Sequence, residues 1–128
     1  MTTTSPEHTV ERVSRLLADG DLDALVALYE PDAAFAPEPG RCVQGLDEIR
    51  EALRPFVATR PRMSGAVEKV LTAGDTALVA YRWTLEGTGP DGSLIRTGGT
   101  SADVLRRRPD GSWGVLIDDP YGALAGAA

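Results

Sequence analysis

The stretch TSADVLRRRPDGSWGVLIDD, residues 100–119, predicts two β-strands joined by a tight turn, and it contains an acid in an unexpected place. The tripeptide PDG is typical of a hairpin turn, and strand-like residues flank it on both sides. Because successive residues of a strand point to opposite faces, Asp103 is predicted to share a face with Leu105. Either that face meets water, or the carboxyl group of Asp103 takes part in chemistry.

The same period of two extends from Ala66 to the end of this stretch. The segments AVEKVLTAG, TALVAYRWTLEG, SLIRTGGTSADVLRRR and SWGVLIDD predict four strands, joined by turns at GD, GPDG and PDG. Strands connected in this way form an antiparallel meander, whose apolar face has to be covered. In the second strand the apolar face is predicted to carry Val79, Tyr81, Trp83 and Leu85.

Amphipathic helices in the N-terminal half supply the cover for that face. Ser5 and Pro6 are a typical helix start, and Gly20 is a typical helix end. A shorter helix follows Asp21, AAFAPEPG is extended, and LDEIREALRPF predicts a third helix that Pro55 kinks or ends. The predicted fold class is α+β: one domain over residues 1–128, with a curved antiparallel sheet packed over three helices of the N-terminal half.

Charge and hydropathy exclude several classes of partner. A net charge of -6 argues against nucleic acid, because phosphate contacts need a basic face, and the run Arg106–Arg108 is more typical of a solvated strand end. No apolar run approaches the ~18 residues of a membrane span, and the N-terminus lacks signal-peptide features. We therefore predict a cytoplasmic protein with no membrane partner. Cys42, the single cysteine, fits a reducing compartment.

Few residues support metal or cofactor chemistry. His8 is the only histidine and lies near the start of the first predicted helix, where a hydrolase triad is not expected. The absence of a Cys–His cluster leaves only a carboxylate site open for magnesium or calcium. The segment GTGPDG is typical of a hairpin turn and lacks the lysine and helix of a phosphate loop. We predict no metal ligand and no cofactor.

Three motifs, in their order along the chain, resemble a known family: GDLDALVALYEPDAAFAPEPG, then GLDEIREAL, then a long sheet that ends in ADVLRRRPDGSW. From about Pro6 to Asp119 the chain resembles the NTF2-like superfamily, in its SnoaL-like and ketosteroid-isomerase-like branch. The resemblance implies a cone of helices and curved sheet around a largely apolar pocket. It also implies a homodimer, since such proteins are often dimeric.

The resemblance assigns a role to Asp103. In ketosteroid isomerases a strand aspartate is held protonated and donates a hydrogen bond to the developing enolate oxygen, and Asp103 occupies the matching position. An apolar pocket disfavours the charged carboxylate, which agrees with that role. The isomerase base does not carry over, because Pro37 lies at or beside its position; Glu38 is either a substitute base or a solvent-exposed loop carboxylate. The isomerase tyrosine falls at about Val13, so steroid isomerisation is not expected.

The family pattern also places Leu116 and Asp118 on the pocket side of the last strand. Asp103 and Asp118 would then be two catalytic carboxyl groups at one cavity, sharing a proton for transfer next to a carbonyl group. The alternative is that Asp118 only terminates the strand before Pro120. Tyr81 and Trp83 form either a wall for a planar ligand or plain core. The predicted ligand contacts are Tyr29, Phe35, Glu38, Tyr81, Trp83 and Leu116.

Two classes of function stay open. One is a cofactor-free isomerase, cyclase or hydratase that acts on a small apolar carbonyl compound. The other is a non-catalytic protein of the same fold that binds a small ligand or serves as a dimeric scaffold, because one fold hosts many functions. An aspartate of raised pKa in a pocket favours the enzyme, whereas a cone filled by Trp83, Phe35 and Tyr29 favours the scaffold.

Overall fold

The computed structural model describes residues 5–89 and 91–122. In these residues the elements follow the order α1 (Pro6–Asp19), α2 (Leu22–Val26), β1 (Tyr29–Glu38), β2 (Arg41–Gln44), α3 (Leu46–Ala58), β3 (Arg62–Ala73), β4 (Thr76–Thr88), β5 (Leu94–Arg107) and β6 (Trp113–Asp119). The predicted turn GPDG includes Pro90, which lies outside the described residues. Three helices and six strands confirm the α+β class.

The six strands form one sheet in the order β2-β1-β6-β5-β4-β3. From β3 to β6, each strand is antiparallel to the next along the chain, as the turn signals predict. The sheet is nevertheless mixed rather than wholly antiparallel, because β1 pairs parallel with β6. These two strands are far apart in the chain, and no hairpin turn joins them. A pairing of this kind leaves no local signal in the sequence.

The helix ends follow local chemistry with one exception. Gly20 ends α1 in the left-handed conformation, with φ of 69°, and its N–H bonds back to the last turn. The side chain of Asp21 caps α2 by accepting from the N–H of Ala24 at 3.0 Å. Pro55 does not end α3, which continues to Ala58. Leu53 and Val57, on either side of Pro55, are both buried, so packing holds the last turn in place.

The core lies between the helices and one face of the sheet. On β4 the buried positions alternate with exposed ones, and Ala77, Val79, Tyr81 and Trp83 all point inward, as predicted. Helix α1 packs on β3, and α3 packs on β1. The helices contribute further buried apolar side chains to this core: Val10, Leu16, Leu17, Leu25, Val26, Ile49, Leu53 and Val57. None of the described helices combines the length and apolar composition needed to cross a membrane.

A buried ion cluster ties the start of β1 to the end of β5. Glu30 accepts from Nε of Arg106 at 3.1 Å and from Nε of Arg108 at 2.7 Å. The Nη2 group of Arg108 also donates to the backbone carbonyl oxygens of Ala27 and Tyr29, at 3.0 and 3.2 Å. A Cβ atom on residue 114 would lie 2.2 Å from Oε2 of Glu30, so only glycine leaves room for the cluster. Arg106 and Arg108 of the run are thus partners of Glu30, whereas Arg107 is exposed, as predicted for a solvated strand end.

Candidate functional site

A β-bulge in β6 decides which of its side chains reach the interior. Two consecutive residues of β5 pair with Val115 and Ile117, so Leu116 between them is an extra residue on β6. After this insertion the alternation continues with Ile117 outward and Asp118 inward. Asp118 therefore faces the interior together with Val115. The predicted ligand contact Leu116 is replaced by Val115, because simple alternation does not hold across a bulge.

A cavity of about 120 Å³ lies between the helices and the inner face of the sheet. Its wall is mainly apolar and is formed by Val10, Val13, Leu17, Leu25, Leu28, Phe35, Pro37, Leu53, Phe56, Met63, Leu85, Val115 and Pro120. Seven side chains with polar atoms complete the wall: Tyr29, Tyr81, Trp83, Tyr121, Ser101, Asp103 and Asp118. Six of the eight residues predicted from the sequence thus meet at one cavity.

Glu38 is the second predicted contact that does not line this cavity. On β1 the side chains of Phe35 and Pro37 are buried and line the wall, so the next side chain in the alternation points outward. Glu38 is accordingly exposed. The position that carries the base in ketosteroid isomerases is therefore apolar here, and so is Val13 in the first helix. A base at this cavity has to come from another strand.

Asp103 and Asp118 lie directly opposite each other on β5 and β6. Side chains at such paired positions lie on one face of the sheet and contact each other. Oδ2 of Asp103 accepts from the hydroxyl group of Ser101 at 2.8 Å, and Oδ2 of Asp118 accepts from the hydroxyl group of Tyr29 at 2.5 Å. Oδ1 of Asp103 is buried and accepts no hydrogen bond from a donor among the described residues. A buried carboxyl oxygen that no donor contacts is typical of a neutral, protonated carboxyl group rather than of a carboxylate.

Burial raises the pKa of Asp103 well above its ordinary value, and the negative charge of Asp118 raises it further. Burial also raises the pKa of Asp118, but the hydrogen bonds from Asp103 and Tyr29 act in the opposite direction. The two groups titrate as a pair, in which the pKa of Asp103 is raised further than that of Asp118. Burial, together with Asp118, raises the pKa of Tyr29 well above 10.0, so its hydroxyl group stays a donor.

Two further polar groups of the wall are bonded within the protein. Nε1 of Trp83 donates to the carbonyl oxygen of Pro120 at 2.7 Å, and the hydroxyl group of Tyr121 donates to that of Pro37 at 3.1 Å. The rings of Trp83 and Tyr121 meet edge to face, with centroids 6.1 Å apart. These side chains therefore shape the wall, and their polar atoms are engaged. Among residues 5–89 and 91–122, no three His, Cys, Asp or Glu side chains form a cluster that could hold a metal ion.

Two polar residues of the wall, Ser101 and Tyr121, were not predicted from the sequence, and only Ser101 carried a signal. Ser101 lies two positions before Asp103 on β5, so strand alternation alone places both on the same face. Tyr121 follows the last strand, where no periodicity predicts a direction. The hydrogen bond from Tyr29 to Asp118 joins residues far apart in the chain, so no spacing rule could have predicted it.

Comparison with known families supports the resemblance that the sequence motifs indicate. The sequence profile of the SnoaL-like domain matches residues 10–114. The chain belongs to the SnoaL-like domain family. No curated protein matches the sequence of this SnoaL-like chain.

Solved structures share the fold of this SnoaL-like domain. A ketosteroid isomerase-like protein from Erwinia carotovora atroseptica matches with a TM-score of 0.75 and 23% identity, over 88% of this chain and 88% of that chain. An NTF2-like superfamily protein from Salmonella enterica matches with a TM-score of 0.74 and 16% identity, over 88% and 84%. A conserved protein from Planctomyces limnophilus matches with a TM-score of 0.76 and 19% identity, over 88% of each chain. The NTF2-like fold is thereby confirmed, and function has to be argued from the site.

Proposed function

We propose that this SnoaL-like protein binds a small apolar carbonyl compound and transfers a proton at the carbon next to the carbonyl group, as a cofactor-independent isomerase or cyclase. The observation that carries the proposal is the pair of Asp103 and Asp118 at one apolar cavity, with Oδ1 of Asp103 buried and without a partner. Two acids whose surroundings drive their pKa values apart are the usual basis for assigning an acid and a base.

The two carboxyl groups have different roles in the proposed reaction. Asp118, held as the carboxylate by the hydroxyl group of Tyr29, takes the proton from carbon. The electrons of the C–H bond move toward the carbonyl oxygen, and the neutral carboxyl group of Asp103 donates a hydrogen bond to this oxygen as its negative charge develops. In an isomerase Asp118 then returns the proton to a different carbon. In a cyclase the enolate carbon attacks a second carbonyl group of the same molecule, the C=O π electrons move to that oxygen, and the alkoxide takes the proton from Asp118.

The non-catalytic alternative would be favoured by a cone with no free space. Trp83, Phe35 and Tyr29 do lie in the wall, yet a cavity remains beside them, and it reaches the carboxyl pair. This free space and the raised pKa of Asp103, which burial causes, both favour the enzyme.

The proposal is tested by following the isomerisation of unconjugated cyclic ketones to conjugated ones through their ultraviolet absorbance. We expect Asp118→Asn and Asp103→Asn each to lower kcat/KM by about 100-fold or more, with the far-ultraviolet circular dichroism unchanged. Glu38→Gln is the matched control, because this exposed carboxyl group lies outside the cavity. Lost turnover in Glu38→Gln with unchanged turnover in Asp118→Asn would overturn the assignment of the base. Failure of the wild-type protein to convert any ketone that it binds would favour the non-catalytic alternative.

We also propose a homodimer that forms through the outer face of the sheet. An apolar row crosses four strands on this face, from Leu71 through Leu78 and Val104 to Ile117, each paired with the next. Leu71, Leu78 and Ile117 are 57%, 37% and 45% exposed. Contiguous apolar surface of this kind marks an interaction site more often than isolated exposed residues do.

The neighbouring row favours a second copy of the chain as the partner. It pairs Lys69 with Ala80, Ala80 with Ala102, and Ala102 with Asp119, so small residues separate a cation at one end from an anion at the other. A two-fold axis parallel to the strands reverses the row and brings Lys69 of one protomer over Asp119 of the partner subunit. We expect sedimentation to show a dimer for wild type, a monomer for Leu78→Glu, and a dimer for the control Leu94→Glu. A wild-type monomer at micromolar concentration would contradict the proposal.

A further inference from the structure

The pairing of the strands arranges the cavity wall in rows. Tyr81 on β4 pairs with Ser101 on β5, and Asp103 lies two residues further along β5, on the same face of the sheet. On the other side of Tyr81, Leu85 pairs with Met63 of β3, and both of these side chains are half-buried lining residues. The wall therefore opens toward Leu85, and Tyr81 lies between this open end and Asp103.

Tyr81 differs from the other polar side chains of the wall because it has no hydrogen-bond partner within the described part of the chain. Four of those others donate to carboxyl or carbonyl oxygen atoms of the protein: Tyr29, Ser101, Trp83 and Tyr121. Asp103 and Asp118 are bonded to each other. The hydroxyl group of Tyr81 neither donates to nor accepts from any group among the described residues. A ligand can therefore reach it without breaking a bond inside the protein.

The surroundings of this hydroxyl group favour contact with a ligand over contact with bulk water. Tyr81 is 7% exposed and points inward from β4. Among the described residues, the enclosed side-chain atom that lacks a partner is Oδ1 of Asp103, so the hydroxyl oxygen of Tyr81 is not enclosed and borders open space. Because Tyr81 is almost closed to solvent and lines the cavity, this space is the cavity.

The charge of the wall also limits the ligand. Burial raises the pKa of Tyr81, and the charge of Glu11 raises it further, so the hydroxyl group keeps its proton at neutral pH. No Lys or Arg belongs to the described residues that line the cavity, so an anion would be desolvated without a cation to offset its charge. A phenolic hydroxyl group can both donate and accept. A neutral oxygen atom is the partner that fits it.

We infer that Tyr81 recognises the ligand: its hydroxyl group forms a hydrogen bond with an oxygen atom of a small neutral compound whose apolar part lies against the wall. This inference about binding does not rest on the proposed function, but its consequence for the substrate does. With the reacting carbonyl group at the two acids, the oxygen at Tyr81 is a second one, on the side of the molecule that faces the open end. The substrate class is then a ketone with a further ether or hydroxyl oxygen.

The test measures the affinities of phenol and toluene, which have similar shapes but differ in the hydroxyl group, by amide NMR titration. Each is close in size to benzene, which an apolar cavity of about 150 Å³ holds, and this cavity measures about 120 Å³. We expect Tyr81→Phe to bind phenol about fivefold more weakly than wild type does, and toluene at least as tightly. An equal loss for both probes, or an unchanged affinity for phenol, would overturn the inference. Wild-type protein that binds neither probe would overturn it too.

Tyr121→Phe is the matched control, because it removes the same group from the same wall, where that group is already bonded to Pro37. We expect this variant to change the affinities for phenol and toluene by the same factor. A selective loss of phenol binding in Tyr121→Phe, with none in Tyr81→Phe, would assign recognition to Tyr121 and contradict the inference. Circular dichroism of both variants checks that they are folded.

Kinetics extend the test to the substrate class. The probes are 4-methoxycyclohex-3-enone, which has an ether oxygen opposite its carbonyl group, and cyclohex-3-enone, which has none. Tyr81→Phe is expected to raise KM for the methoxy compound about fivefold with kcat unchanged, because the contact is made in the ground state and in the transition state alike. Both constants for cyclohex-3-enone are expected to stay unchanged. A fall in kcat as large as that of Asp103→Asn would contradict a role in binding.

Failure of the inference and failure of the proposed function give different results. If the affinity for phenol depends on Tyr81 and neither ketone is isomerised, the proposed function fails and the inference about Tyr81 stands. If the ketones are isomerised and the affinity for phenol does not depend on Tyr81, the inference fails and the proposed function stands.

Discussion

Glu30 and Asp103 are two buried acids in neighbouring parts of the same sheet, and they have opposite surroundings. Glu30 is 7% exposed and meets the guanidinium groups of Arg106 and Arg108. Asp103 is 5% exposed and meets a hydroxyl group and a second carboxyl group. Equal burial therefore goes with ion pairs at Glu30 and with a raised pKa at Asp103.

The difference teaches that burial alone does not mark a functional acid. Glu30 holds two strands together, because each of its oxygens accepts from a different arginine. Asp103 lines the cavity, and its buried Oδ1 accepts no hydrogen bond from the described residues. Asp103 has no cation beside it, which is the surrounding that raises a carboxyl pKa and favours the proposed chemical role over a role in holding strands together.

The largest expected effect is on stability, and it tests the structural side of this comparison. Arg108→Ala removes one of the two cations of Glu30 and two bonds to backbone carbonyl oxygens. We expect the free energy of unfolding in urea to fall by roughly 3 kcal/mol, the order of a broken buried ion pair. Arg96→Ala is the control, since its 3.6 Å contact with Glu86 is exposed and contributes about 0.5 kcal/mol or less. Equal effects in the two variants would contradict the structural role of the cluster.

A smaller effect is expected from Tyr29→Phe, which tests the hydrogen bond that separates the two acids. Removing a donor from a buried carboxylate is expected to lower the free energy of unfolding by about 2 kcal/mol. Because burial already raises the pKa of Asp118 and the bond from Tyr29 opposes this rise, the pKa of Asp118 is expected to increase in the variant. Carboxyl-resolved NMR titration measures it. Tyr121→Phe, which removes a donor to a neutral carbonyl oxygen, is expected to leave this pKa unchanged.

The third effect, the smallest when counted per pH unit, is a slope in the pH dependence of stability. Below pH ~3.9, the ordinary pKa of an aspartate, Asp103 is protonated in both the folded and the unfolded chain. Above it the unfolded chain loses this proton, whereas burial raises the pKa in the folded chain, so the fold keeps it. The free energy of unfolding therefore declines as the pH rises from ~3.9 toward the pKa of Asp103 in the folded chain, by at most about 1.4 kcal/mol per pH unit.

Asp103→Asn checks that slope, because an amide does not titrate. Between about pH 4 and pH 7, the free energy of unfolding of the variant is expected to decline less steeply than that of wild type. Asp32→Asn is the control, since Asp32 is exposed and hydrogen bonds from Arg106 lower its pKa. Parallel pH profiles for wild type and Asp103→Asn would mean that Asp103 is ionised in the fold.

Most of the sheet could be predicted because its signals are local. Turn residues delimit β3 to β6, and strict alternation predicts that Tyr81 and Trp83 point inward, which the structure confirms. The bulge at Leu116 could not be predicted, because nothing in the local pattern distinguishes an inserted residue from a regular one. Because of this extra residue, Val115 and Asp118 lie on the same face of β6, whereas regular alternation would place them on opposite faces.

The amino-acid sequence by itself determined the elements, the faces of the regular strands and the presence of an acid, Asp103, in an apolar strand, because propensity, periodicity and turn chemistry act between neighbours in the chain. Only the tertiary structure decided that β1 lies parallel to β6, that Asp118 faces Asp103, and that Tyr29 donates to Asp118. These contacts join residues up to 89 positions apart in the chain, and only the packing of the whole sheet brings such residues together. The pairing of Asp103 with Asp118, and of Asp118 with Tyr29, is thus a property of the fold, because no single segment contains both acids and the tyrosine.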